Sequence, residues 1–248
     1  MAHDFEPTAG DVLARHAFLA PATDEVRVLL FDSAVWAGYV DSAERLLDSG
    51  ERARASRFRF EHDREAYILS HALWRVALGI CLGVGARRVP LTSTSSGQPR
   101  LPGTGLATSL SGTGSWSAMA IAGADTVGVD IERSPARIAL EELIPTMCTR
   151  AERNELAKLS ARAREPVLLD MWTRKEALLK AFGVGLLEDP ALLSASTSEL
   201  ISPPASAPVQ IPCRVRNLDL PIALTGALAV PASIHTLRIY LLDDSPRG

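Results

Sequence analysis

Two hydrophobic rhythms alternate along this chain, and their order predicts its elements. The unbroken apolar run at residues 26–31 (VRVLLF) predicts a buried strand. Residues 42–50 fit a short helix that Gly50 ends. From 63 to 82 the period is helical, with Tyr67, Trp74, Leu78 and Cys81 on one stripe and Gly83 and Gly85 closing it. Residues 95–105 (SSGQPRLPGTG) are turn-rich and predict a loop. Residues 117–122 (SAMAIA) and 126–132 (TVGVDIE) read as two strands joined by a turn at 123–125. Helices are expected at 150–159 and 166–182, and a loop or disordered insertion at 190–208, which is rich in Ser, Ala and Pro. Strands at 209–215, 226–230 and 237–242 complete the pattern.

This order predicts an α+β fold of two mixed halves, 25–122 and 123–248, behind a loose N-terminal arm at 1–24 where periodicity is weak. Similarity between the halves rests on element order alone, because they share no visible sequence repeat.

Bulk properties mainly exclude. The chain has 248 residues, 47% apolar and 22% charged, as soluble globular proteins do. A net charge of −3 gives no overall electrostatic case for nucleic acid or membrane binding. No stretch is expected to span a bilayer, and the acidic start MAHDFEPTAGD does not resemble a signal peptide. Cys81, Cys148 and Cys213 form no CxxC or Cys/His cluster, which argues against zinc and for a reducing, cytoplasmic setting. His71 lies within a helix and is expected to be structural. Ser111-Gly112-Thr113-Gly114 lacks the lysine of a P-loop, and no GxSxG elbow occurs.

Candidate chemistry lies in two segments. In GVDIE, strand alternation projects Asp130 and Glu132 from one face while Val129 and Ile131 enter a core. Two close carboxylates repel unless a cation lies between them, although such pairs also occur on ordinary strand edges. In the 166–182 helix, Leu169, Trp172, Glu176 and Leu179 share a stripe, and Lys175 lies on the neighbouring one. Lys180 is one turn beyond Glu176, and Gly183 and Gly185 follow, where backbone can turn tightly or approach a ligand. The bland reading is a Lys–Glu pair or a lysine reaching solvent. The alternative is an acid facing a metal ion and lysines facing phosphate.

Together, GVDIE and W-x-x-KEA-x-x-K-x-x-G-x-G resemble the paired signature of Sfp-type 4′-phosphopantetheinyl transferases. Weaker resemblance runs from about Glu51 to Gly185. Arg54, Arg57 and Phe58 resemble a basic stretch of that family, Gly97-Gln98-Pro99 its GKP loop, and Glu152 an acid near its metal. The resemblance implies two similar α+β halves related by pseudo-two-fold symmetry, with coenzyme A between them. It implies Mg²⁺-dependent transfer of the phosphopantetheine arm to a serine of an acyl or peptidyl carrier protein by a monomer. Asp130, Glu132 and Glu176 would hold Mg²⁺, and Glu176 or Glu152 would take the serine proton. Lys180 would steady the leaving phosphate. Lys175, Arg54, Arg57, Gln98, Pro99, Ser109 and Ser111 would meet coenzyme A; for the two arginines, a plain surface role is nearly as well supported.

The chain departs from the pattern on the coenzyme A side. The stretch 106–111 (LATSLS) keeps Ser109 and Ser111 but has Leu110 and Ala107 where the family has histidine and asparagine. Gln98 replaces the GKP lysine, and Ala66 stands where a basic residue is common, with Arg64 a candidate substitute. Two or three lost charge-assisted contacts, each about 1.5–3 kcal/mol, would weaken ordinary coenzyme A binding severely. Arg87, Arg88 and Arg100 are the nearest replacements in sequence. Two further readings therefore stay open: an enzyme on this scaffold with another carrier-bound or coenzyme A-like substrate, and a non-catalytic protein that binds carriers.

Overall fold

Seven helices and nine strands are seen in a computed structural model that describes residues 4–136, 139–185, 188–221 and 223–242. Strand β1 (Glu25–Asp32) is the centre of the first sheet. It pairs antiparallel with β5 (Trp116–Ala122), which pairs antiparallel with β4 (Ala107–Thr113). On its other side β1 pairs in parallel with β9 (Thr236–Leu242), giving the order β4-β5-β1-β9. A second sheet contains β6 (Gly128–Arg133), β8 (Leu224–Pro231) and β7 (Cys213–Asn217). A two-strand ribbon, β2 (Thr92–Ser93) with β3 (Pro99–Arg100), projects beside them.

The first sheet is covered on both faces, which is why β1 reads as continuous apolar sequence. Leu29 and Phe31 join the core under α1 (Phe5–Arg15) and α4 (Glu61–Leu82). Val26, Val28 and Leu30 face the second sheet, meeting Val129, Ile131 and Leu228. Helix α7 (Ala161–Phe182) covers the outer side of that second sheet, where Ala177, Leu178 and Ala181 pack with Val215, Ala227 and Ala229. The molecule is thus an α+β protein with two sheets back to back and a 22-residue helix outside each.

Several expectations change. Within the expected loose arm at 1–24, the described residues are not loose: α1 buries Phe5, Ala9, Val12 and Leu13, a helical stripe in a short segment. Gly50 ends no helix. Asp48 caps α3 (Ser49–Ala55), accepting from the Glu51 amide while the Glu51 carboxylate accepts from the Asp48 amide, and α2 (Val40–Glu44) is a separate turn. Strands β5 and β6 are consecutive but enter different sheets. Gly123 turns the chain between them against Ala22, where an added Cβ would lie 2.1 Å from the Ala22 carbonyl oxygen. The loop after α7 is packed, with Leu193, Ala195, Ile201 and Ala207 buried. Strand β9 crosses back to β1, so the boundary at 122/123 does not separate two self-contained sheets. Helix α4 is long and apolar enough to cross a membrane, contrary to the sequence reading, but lies mostly buried in this core.

Candidate active site

Strand β6 and helix α7 meet without a side chain between them. A Cβ at Gly128 would lie 1.9 Å from the Ala177 carbonyl oxygen, so only glycine permits this approach. It brings the acidic face of β6 against the last turns of α7. Lys180 Nζ is 2.8 Å from Asp130 Oδ1 and 3.1 Å from the Val129 carbonyl oxygen. The Ser111 hydroxyl donates to the same Asp130 oxygen at 2.7 Å. Asp130 Oδ2 is buried without a hydrogen-bond partner. The Thr113 hydroxyl donates to Glu132 at 3.2 Å.

The remaining acids share this field. Burial, then the charge of Asp130, raises the pKa of Glu132. Burial and Asp130 raise that of Glu176 likewise, with Glu132 adding to it and Lys180 opposing it. Among the described residues no group of three His, Cys, Asp or Glu side chains closes into a metal cage as it stands, and one Asp130 oxygen is held by Lys180. The donor set nevertheless suits a hard divalent cation: it is all oxygen, one carboxylate oxygen is buried and unpartnered, and two further acids are pushed toward neutrality by burial and like charge.

Two residues expected here are engaged elsewhere. Lys175 is buried. Its ammonium bonds Glu152 Oε2 at 2.8 Å and the carbonyls of Pro190 and Leu193. Glu152 completes a capping box with Thr149 on α6 (Arg150–Leu156) and accepts from the Ala195 amide. Burial opposes its ionisation, yet the Lys175 bond, the Ala195 and Thr149 amides and the Lys175 charge together hold its pKa below the usual value. Both are parts of the loop anchorage, so neither the general-base role of Glu152 nor the anion-binding role of Lys175 fits.

Beside the acids runs a cleft of about 720 Å³ lined by residues from α3, α4, the β2–β3 ribbon, β4 and the end of α7. Arg54, Gln98, Pro99, Ser109, Ser111 and Lys180 reach its lining, whereas Arg57 faces an adjoining groove with Phe58. Asp130, Glu132 and Glu176 stand outside the lining, joined to it through Ser111 and Lys180. The two serine hydroxyls stitch the sheets together: Ser109 accepts from the Val129 amide at 3.2 Å and Ser111 from the Ile131 amide at 3.3 Å. Gln98 donates to the carbonyls of Lys180 and Ala181, closing the C-terminus of α7 where Gly183 adopts φ +72°. Arg64 is paired with Glu44 and Glu61 and does not replace the basic residue missing at Ala66. Arg87, Arg88 and Arg100 are absent from the lining.

Sequence reasoning missed the aromatic wall of this cleft. Tyr67 and His71 stack at 3.7 Å, and Trp74 meets His71 edge-on at 5.8 Å. Arg54 lies over the Tyr67 ring. Burial drives the His71 pKa down to about 4, so this ring is neutral at physiological pH. The i, i+4, i+7 spacing of the three aromatics was the available signal. Below them Arg75, 2% exposed, ties α4 to Asp48 and Glu51 of the α3 cap.

The segment that contributes β6, Glu176 and Lys180 matches a known family model over residues 126–218, that of the 4′-phosphopantetheinyl transferase superfamily. The chain is also 31% identical over 144 residues to the 4′-phosphopantetheinyl transferase HetI of Nostoc sp., covering 56% of this chain and 61% of HetI. It is 31% identical over 171 residues to a phosphopantetheinyl transferase of Thraustochytrium sp., covering 62% of this chain and 59% of that protein. The chain thus spans about three fifths of the length of these transferases. Within the matched superfamily segment lie both acids of β6, all of α7 and the loop that Lys175 and Glu152 anchor.

Proposed function

We propose that this protein is an Sfp-type 4′-phosphopantetheinyl transferase that moves the phosphopantetheine arm of coenzyme A to a serine of an acyl or peptidyl carrier protein. The observation that carries the reading is the Lys180–Asp130 ion pair at the edge of a cleft of about 720 Å³, with Glu132 and Glu176 in the same electrostatic field. Asp130, Glu132 and Glu176 would hold Mg²⁺, which supplies charge neutralisation at the pyrophosphate when bound. The Tyr67–His71–Trp74 wall, with Trp74 edge-on to His71 and Arg54 over the Tyr67 ring, offers aromatic and cationic contacts for a purine.

The reaction needs a proton acceptor for the carrier serine as its oxygen bonds to phosphorus. Glu152 is the poorer candidate, because its oxygens are held by Lys175 and two backbone amides. Glu176 is the base of choice, since burial, then the charge of Asp130, raises its pKa and makes it a stronger base than an ordinary carboxylate. The phosphorus–oxygen bond to the nucleotide then breaks, and adenosine 3′,5′-bisphosphate leaves with that electron pair. Lys180 is the cationic side chain beside it that can offset the new charge. Incubation with coenzyme A, Mg²⁺ and a panel of apo-carriers, read by intact mass, tests the activity.

A second reading concerns the donor. The cleft is lined by the cations Arg54 and Lys180 but also by Asp48, Glu51 and Asp63. His71 adds no charge, Gln98 is committed to backbone carbonyls, and Leu110 brings only an apolar side chain to the lining. A donor without the 3′-phosphate, dephospho-coenzyme A, would meet less repulsion. Equal or higher kcat/KM for the dephospho form supports this reading, and a preference of more than about tenfold for coenzyme A removes it.

A further inference from the structure

We infer that Lys180 competes with the divalent cation for Asp130, so that filling the acidic site drives this lysine out into the cleft. The inference rests on the reading of Asp130, Glu132 and Glu176 as a cation site and adds a coupling between that site and the substrate channel.

The geometry sets up the competition. Lys180 spends two of its three donors on Asp130 Oδ1 and the Val129 carbonyl. Its head lies at a boundary: the side chain is 29% exposed and lines the cleft, while the Asp130 side chain is 7% exposed. A hard cation bonded to the same carboxylate, at about 2.1 Å for Mg²⁺, would set two like charges within a few ångström of each other. Asp130 cannot turn to separate them, because Ser111 fixes Oδ1 at 2.7 Å and is itself fixed by the Ile131 amide, so a cation on the unpartnered Oδ2 would lie one carboxylate's width from the ammonium. The lysine can move, since its flexible four-carbon stem rises from the last turn of α7 at the cleft wall. An anion in the cleft would stabilise the outward position. Cation and anionic substrate therefore assist each other through a single side chain.

A purely structural salt bridge between β6 and α7 makes the opposite prediction, because removing it would loosen the acids and weaken cation binding. Titration of the intact protein with Mn²⁺, followed by electron paramagnetic resonance without substrate, separates the two. Lys180→Met should bind Mn²⁺ about tenfold more tightly than the wild type, the size expected for releasing one charge-assisted bond. Lys180→Arg, which keeps the competing charge, should bind like the wild type. Equal or weaker binding by Lys180→Met overturns the inference and leaves the cation site standing. Absence of Mn²⁺ binding in all three proteins overturns both.

The unmodified protein offers an independent readout, since Lys158, Lys175 and Lys180 are its three lysines. Acetylation footprinting by mass spectrometry should show Lys180 becoming more reactive as Mn²⁺ is added. Exposed Lys158 should stay reactive and buried Lys175 protected throughout. Unchanged or reduced Lys180 labelling contradicts the inference.

Discussion

Lys175 Nζ lies 2.8 Å from Glu152 Oε2, inside the protein, with the lysine side chain 1% exposed. The pair joins α7 to the cap of α6 and, through the Pro190 and Leu193 carbonyls and the Ala195 amide, to the following loop. Removing one partner of such a pair strands a buried charge. Lys175→Met is expected to cost about 3–5 kcal/mol in denaturant unfolding. Its transfer rate at low temperature should suffer far less than that of an Asp130 variant.

The same pair gives a pH signature. The folded-state pKa of Glu152 is depressed, so its stabilisation is present above the unfolded value of about 4.3 and is lost as pH falls through the folded one. The stability gap between wild type and Glu152→Gln should be constant near neutrality and close below about pH 4. Thermal unfolding across pH checks this, and a gap that widens in acid contradicts it.

Glu176 has the reverse sign. Burial and Asp130 raise its folded pKa, so its ionised form destabilises the protein above that pKa, and the cost vanishes as pH falls below the unfolded value. In chelator at pH 7.5, Glu176→Gln should be more stable than the wild type by on the order of 1 kcal/mol. Added Mg²⁺ should raise the melting temperature of the wild type more than that of the variant. This would be a residue kept for chemistry at the expense of stability.

Gly128 tests the approach of strand to helix. Gly128→Ala inserts a Cβ 1.9 Å from the Ala177 carbonyl oxygen and must push β6 and α7 apart. About 1–3 kcal/mol of destabilisation is expected. Because the shift also separates Asp130 from the α7 residues, transfer activity should fall even in the folded fraction.

Much of this arrangement was legible in local pattern. The apolar run of β1, the helical stripes of α4 and α7 and the alternation in GVDIE each identify an element because burial imposes its period on sequence. Strand β4 was missed because its buried positions are Thr108, Ser109 and Ser111, whose polarity is satisfied across the chain by Ala120, Val129 and Ile131. The return of β9 to β1 is a parallel pairing between chain ends, and nothing in residues 236–242 names that partner. Lys175 illustrates the limit at the site. The helix pattern set its stripe, but the carbonyls that claim its ammonium belong to a loop 15 to 18 residues on. Strand alternation paired Asp130 with Glu132 and the helical period paired Glu176 with Lys180, whereas the link between the two segments came from the family resemblance.

The most direct measurement is intact mass of an apo-carrier after incubation with coenzyme A, Mg²⁺ and either wild type or Glu176→Gln. The account predicts a phosphopantetheine adduct on the carrier serine with the wild type, abolished by chelator and reduced at least about a hundredfold in rate by the variant. An adduct formed equally fast by Glu176→Gln, or no adduct on any carrier from wild type with either coenzyme A or its dephospho form, would contradict it.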